Sequence, residues 1–254
     1  MRSLRAMVRL FALVIMTTLL SASFLLVRIL LTSRAKALAW RNWNVRAWAR
    51  ATVYLLNIKV KAINLAPDEP FLLVSNHLSY IDIVILASRI DCAFIAKSEV
   101  AAWPVIGRLG CWTDTVFINR RRKRDVISAM HQMQQLIEAG LGVVLFAEGT
   151  STSGQHVSPF KSATLELAAQ HHVPVHYASI SYKTPDGEAS ADQSVCWWGD
   201  MTFGDHFFRL LQLSGFEATL TFGLEPIVDE DRHQLASRLW QAVTAQFIPV
   251  QVSR

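Results

Sequence analysis

The sequence predicts an α/β domain with a mixed, mostly parallel sheet flanked by helices, preceded by an N-terminal membrane-associated helical segment. Two observations carry the sheet: strand-length apolar runs at 71–74, 92–96, 116–118, 142–146 and 175–182 alternate with helix-length stretches, and polar clusters follow the first, third and fourth of them. A third carries the segment: residues 10–27 form an apolar run without charge, bounded by arginines. The boundary falls near residue 57, giving an anchor over 1–57 and a domain over 58–254.

In the anchor, Arg2, Arg5 and Arg9 precede the apolar run and Arg28, Arg34 and Lys36 follow it. At about 1.5 Å rise per residue the run is just long enough to cross a bilayer core. Positive charge on both flanks leaves the positive-inside rule little to discriminate, and a helix that dips in and returns to the same side explains both flanks. Over 36–56, Trp40, Trp43, Ala47 and Ala51 recur at helical spacing with Arg41, Arg46 and Arg50 between them. A basic, Trp-rich helix suits the membrane interface, although the same stripe also suits packing on the domain.

Charge agrees with this division. Eleven of the 25 Lys and Arg lie in residues 1–67, whereas all 20 Asp and Glu lie beyond them. The basic character thus belongs to the anchor, which favours anionic lipid and argues against a nucleic-acid partner. The three cysteines (Cys92, Cys111 and Cys196) are far apart, with no CxxC pair. That suggests neither a disulfide framework nor a zinc site, and reduced thiols in a cytosolic environment fit best.

Along the domain, 58–62 alternates as an edge strand and Pro67-Asp68 turns the chain. The run 71–74 leads into Ser75-Asn76-His77-Leu78-Ser79-Tyr80-Ile81-Asp82 and then a buried helix over 83–87. After the strand at 92–96 come Lys97-Ser98-Glu99 and a helix around 103–108; 116–118 ends in Asn119-Arg120 and three further basic residues. A helix over 125–139 has Gly140 at its C′ position. The strand 142–146 opens into Ala147-Glu148-Gly149-Thr150-Ser151, followed by a helix over 161–170 and the strand 175–182. Residues 185–200 read as a loop, 216–222 as a strand and 231–246 as the last helix.

Ligands of open α/β sheets bind beyond the carboxyl ends of the strands, so the loops at Asn76-His77, Asn119-Arg120 and Glu148-Gly149-Thr150 are expected around one cleft. A histidine base needs a carboxylate to orient it, and Asp82 is the candidate. The same Ser79-x-x-Asp82 spacing also fits a helix capping box, which would leave His77 an ordinary loop residue. Arginine after a strand suits phosphate or carboxylate, and Gly149-Thr150 offers amide donors to an oxyanion. Gly-x-Ser-x-Gly, Walker A, HExxH and the Rossmann fingerprint are all absent, which favours base-assisted direct transfer over a covalent intermediate.

These residues carry a resemblance. Asn76-His77-x4-Asp82, then Lys97-x-Glu99-x4-Pro104-x2-Gly107 through to Val116-Phe117-Ile118-Asn119-Arg120, then Phe146-Ala147-Glu148-Gly149-Thr150, then Val173-Pro174-Val175 resemble, in order and spacing, the four blocks of the glycerolipid acyltransferases typified by 1-acyl-glycerol-3-phosphate acyltransferase. The resemblance implies transfer of a fatty acyl group from an acyl carrier protein or coenzyme A thioester, as a substrate, to a lysolipid hydroxyl, most simply 1-acyl-glycerol-3-phosphate, with no cofactor and no metal. His77 would be the general base and Asp82 its partner. Asn76, Lys97, Arg120, Glu148, Gly149 and Thr150 would bind substrate. The domain would sit on the cytoplasmic face of the inner membrane.

The third block usually reads Phe-Pro-Glu-Gly-Thr-Arg-Ser; here Ala147 replaces the proline and Ser151 the arginine, a phosphate ligand in the family pattern. Either Arg121 and Arg122 compensate as cations for the phosphate, or the acceptor is a different lysolipid, such as a lysophospholipid or lyso-aminolipid. A hydrolase or transacylase, and a non-catalytic lipid-binding protein on the same fold, are the rival readings.

Overall fold

A computed structural model describes residues 2–31, 33–103, 106–119 and 123–251. Two long helices open the chain, α1 (Arg2–Leu30) and α2 (Arg34–Leu55). The first half of the domain follows as β1 (Ile58–Ile63), β2 (Leu72–Ser75), α3 (Ile81–Ala87), β3 (Cys92–Lys97), α4 (Ser98–Ala101), α5 (Ile106–Trp112) and β4 (Val116–Ile118). The second half is α6 (Lys123–Glu138), β5 (Gly142–Phe146), a 3-10 turn (Ser162–Leu165) running into α7 (Glu166–Gln170), β6 (Val175–Lys183), α8 (Ala191–Ser194), α9 (Phe203–Gln212), β7 (Phe216–Phe222) and α10 (Arg232–Gln246).

Among the described residues the strands form one seven-stranded sheet in the order β1-β7-β6-β2-β5-β3-β4. All neighbours are parallel except β6 and β7. The expected mixed, mostly parallel sheet is therefore present. β2 lies at its centre, buried on both faces, which is why 71–74 reads as a continuous apolar run rather than an alternating one. Helices cover both faces, α3 and α9 with the α1–α2 pair on one, and α6, α7 and α10 on the other. Gly140 has φ +88° and stops α6 as its C′ residue, while Asp231 caps α10 through the N–H groups of His233 and Gln234.

The structure adds to the sequence reading in four places, one of them the single turn of α8 inside the stretch 185–200 read as a loop or insertion. The helix expected over 161–170 opens as a 3-10 turn, and the one expected near 103–108 is α5, preceded by the single turn of α4. The stretch between 200 and 216, which the sequence left without an element, contains α9. Its Phe207, Leu210 and Leu211 pack inward against the anchor and the sheet.

The anchor lies along the domain. Thr17 accepts from Trp48 Nε1 at 3.1 Å, and Asn44 Nδ2 donates to Leu20 O and Ser23 Oγ at 3.1 and 3.0 Å, so α1 and α2 are antiparallel. α2 is bolted to the domain by Arg41 to Thr113 O, Arg46 to Asp91 at 2.6 Å and Arg50 to Ser88 O at 3.2 Å. At the other end of α1, Arg9 donates to Leu211 O and Leu213 O at 3.1 and 2.6 Å, and Arg5 to Gln212 O at 3.1 Å, satisfying carbonyls at the C-terminus of α9. From Arg9 to Ser23, 14 residue steps or about 21 Å of helix, these ties lay α1 along α9 and α2. Its outer face is apolar and open: Leu4, Phe11, Leu19 and Leu26 are each 60–69% exposed. α1 remains long and apolar enough to cross a membrane by length and composition. The Trp-bearing stripe of α2 faces outward at Trp43, stacked on Trp40 at 4.8 Å, while Arg41, Asn44, Ala49 and Thr52 face inward.

Candidate active site

β2, β5 and β6 are adjacent and parallel, so the loops that leave their carboxyl ends meet at one end of the sheet. The β2–β6 ladder ends at Ser75↔Ala178. Beyond it the Asn76 side chain takes over the ladder: Nδ2 donates to Ile180 O at 2.9 Å and Oδ1 accepts from Ile180 N at 2.8 Å. That frees the main chain of residue 76 to turn toward His77. Asn76 was expected against substrate; at 1% exposure, with both ends of its amide on the backbone of β6, it fixes the loop instead.

His77 and Asp82 come together as expected. His77 Nδ1 lies 2.7 Å from Asp82 Oδ2, and the same oxygen accepts from Leu78 N at 2.7 Å and Ser79 N at 3.0 Å. An ionised carboxylate only accepts, so Nδ1 carries the proton and Nε2 keeps its lone pair. Among the described residues Nε2 makes no hydrogen bond, and the imidazole keeps 21% of its surface exposed. The ring stacks on Phe146 with centroids 4.1 Å apart, which blocks rotation on one side. Both sequence readings of Asp82 thus meet in one carboxylate: it reaches back to Ser79 N as the acid of a capping box does, and it orients His77. The other half of the box is missing, because Ser79 Oγ is buried without a partner among the described residues.

Glu148 is 2% exposed and bonds backbone amides rather than projecting into open space. Oε1 accepts from His77 N at 2.6 Å and Oε2 from Ser158 N at 2.8 Å. Thr152 N donates to His77 O at 3.0 Å, so the loop after β5 holds both polar groups of the His77 main chain. Gly149 makes the turn with φ +81°, where a side chain would be strained, and its N–H is spent on Phe146 O at 3.2 Å. Thr150 is exposed, and neither its N–H nor its hydroxyl is engaged among the described residues. Lys97 ends β3 on the surface, paired with Glu99 at 3.1 Å. Arg120, with Arg121 and Arg122, lies outside the described residues.

Burial pushes the Glu148 carboxyl up to about 7, against the pull of its two N–H donors. A carboxyl with a raised folded-state pKa contributes stability that is complete below about 4.5 and is lost as pH rises through about 7. Wild type should therefore lose stability relative to Glu148→Gln between pH 4.5 and 7.5, by about 3 kcal/mol at most. Thermal melts of both proteins across that range check it; parallel curves would contradict it.

Several residues at this site carried no functional signal in sequence. Tyr182, at the end of β6, donates its phenol to Asp82 Oδ1 at 2.5 Å. The only sequence hint was a tyrosine closing a buried strand, where a phenol needs an acceptor. The segment after α8 closes over the catalytic loop: Trp197 N donates to Leu78 O at 2.8 Å, Ser151 Oγ donates to Trp197 O, and Tyr80 OH meets His206 Nδ1 at 2.9 Å. Burial holds His206 down at about 4, so it is neutral here.

Three comparisons bear on this geometry. A family model described as Acyltransferase matches residues 57–181. A lyso-ornithine lipid O-acyltransferase of Brucella abortus is 32% identical over 81% of this chain and 82% of its own length. A 1-acyl-sn-glycerol-3-phosphate acyltransferase of Neisseria gonorrhoeae is 27% identical over 81% of each chain. Among solved structures, the 1-acyl-sn-glycerophosphate acyltransferase of Thermotoga maritima shares the fold, with a TM-score of 0.71 over 100% of both chains at 19% identity.

Proposed function

Since the chain belongs to the acyltransferase family, we propose that it transfers a fatty acyl group from a thioester to the free hydroxyl of a lysolipid, with His77 as the general base. The single observation that carries the mechanism is the 2.7 Å contact of His77 Nδ1 with a buried carboxylate, which leaves Nε2 as the one basic nitrogen. Nε2 takes the proton of the acceptor hydroxyl as its oxygen attacks the thioester carbonyl. Asp82 stabilises the imidazolium. The tetrahedral oxyanion is met by the open N–H and hydroxyl of Thr150, since the N–H of Gly149 is already used. Collapse breaks the C–S bond, and the departing thiolate recovers the proton from Nε2.

The acceptor reading turns on Ser151. Where the family pattern has a phosphate-binding arginine, this chain has an uncharged side chain whose hydroxyl is committed to Trp197 O. That supports an acceptor without a phosphomonoester, of the lyso-aminolipid class named for the Brucella relative. The second reading, 1-acyl-glycerol-3-phosphate, is favoured by the basic run that begins at Arg120 and by the Neisseria relative. Acylation rates on lyso-ornithine lipid, lysophosphatidic acid and neutral lysolipids, each with acyl carrier protein and coenzyme A donors, decide it. A preference of tenfold or more for the amino-bearing acceptor is expected; a preference of that size for lysophosphatidic acid would overturn the reading.

The open apolar face of α1, with Trp43 and Tyr54 on the outer side of α2, supports membrane attachment through the hairpin. The reduced cysteines favour the cytoplasmic face of the inner membrane. Placement at the surface brings the site to its lipid acceptor without the domain leaving water.

A further inference from the structure

We propose that Tyr182 is the third member of the His77–Asp82 pair, a positioning residue that sets the basicity of His77 by donating its phenol proton to Asp82; this rests on His77 being the base. Asp82 is 0% exposed and receives donors from two sides. From its own loop, His77 Nδ1, Leu78 N and Ser79 N converge on Oδ2. From the sheet, Tyr182 OH alone among the described residues reaches Oδ1, at 2.5 Å. The carboxylate is thus clamped between a loop and a strand that lie 100 residues apart in sequence.

The sheet makes this donor rigid. Tyr182 pairs with Ala218 of β7, is 3% exposed, and sets its ring edge-on to Phe216 with centroids 5.7 Å apart. Two residues earlier, Ile180 is the residue to which Asn76 is bonded, so one strand fixes both the start of the catalytic loop and the far oxygen of its aspartate. A charge-assisted bond of this kind draws electron density from the carboxylate. It weakens the hold of Asp82 on the imidazolium and so keeps His77 deprotonated at lower pH than an unclamped aspartate would. No proton leaves the phenol, since burial and the Asp82 charge push its ionisation far up.

The other ionisable groups around the pair are Glu148 on the His77 main chain, Cys196, Asp192 and Tyr80. Burial raises Cys196 and Tyr80 out of the working range; Glu148 titrates within it, in every variant alike. A difference between variants therefore reports on Tyr182.

The test is the pH dependence of kcat/KM for lysolipid acylation by the full-length protein in detergent. Wild type is compared with Tyr182→Phe and with the protein carrying 3,5-difluorotyrosine at 182, a stronger donor of nearly the same shape. Tyr182→Phe is expected to move the acidic limb up by about half to one pH unit, with KM for the lysolipid within twofold. The difluoro variant is expected to move the limb down, and it keeps the test open if the phenylalanine variant does not fold. Limbs that superimpose on wild type, or that move the same way in both variants, would make Tyr182 a packing residue only. His77→Ala in the same assay separates the two levels: a dead His77→Ala together with unmoved limbs in the Tyr182 variants sinks the Tyr182 proposal alone, while an active His77→Ala sinks the base itself.

Discussion

Asp82→Asn is expected to lower kcat for acyl transfer by about 10³–10⁴, the loss seen when the orienting acid of a histidine base is neutralised. Asparagine preserves the shape of the site. Its carbonyl must face Leu78 N and Ser79 N, because an amide NH2 there would oppose two backbone donors. The NH2 then falls to the Tyr182 side, where the phenol oxygen accepts it. What disappears is the charge that stabilises the imidazolium formed when Nε2 takes the acceptor proton. KM should change little, since Asp82 is buried beneath His77 and touches no open surface. A loss of tenfold or less would mean that the carboxylate serves mainly as a cap for α3.

Replacing Val8, Phe11, Leu19 and Leu26 with serine is expected to release the protein from membranes while leaving its activity in detergent intact. These four side chains are 60–69% exposed, so their loss removes little packing. Burying an apolar side chain of this size is worth about 1.5–3 kcal/mol, and partial insertion of four amounts to roughly 4–6 kcal/mol. That is about three to four decades in partitioning. Flotation with liposomes measures it. Undiminished binding would shift the anchor to Trp43 and Tyr54 on α2.

Local chemistry was legible in the sequence, and distant contacts were not. The strands at 116–118 and 142–146 were readable to the residue, because apolar runs bounded by polar clusters have one solution inside a covered parallel sheet. α9 escaped because Gly204 stands in its first turn after a Trp- and Gly-containing loop, while the surface that makes its apolar face useful comes from α1, some 200 residues earlier. At the site, His77 and Asp82 share one loop, so their spacing alone brought them within reach. Glu148 and Tyr182 depend on strand order. Only the placement of β2 between β5 and β6 puts one acid beneath His77 and one phenol against Asp82. The sequence also posed a choice between cap and catalytic partner for Asp82, and one carboxylate with four donors fills both parts.

The most direct measurement is acyl transfer by purified wild-type and His77→Ala proteins in the same detergent, with saturating acyl thioester and lysolipid. Loss of one general base predicts a drop in kcat of about 10²–10⁴ with the fold and lysolipid binding retained. Full transfer by the alanine variant would contradict the mechanism at its root.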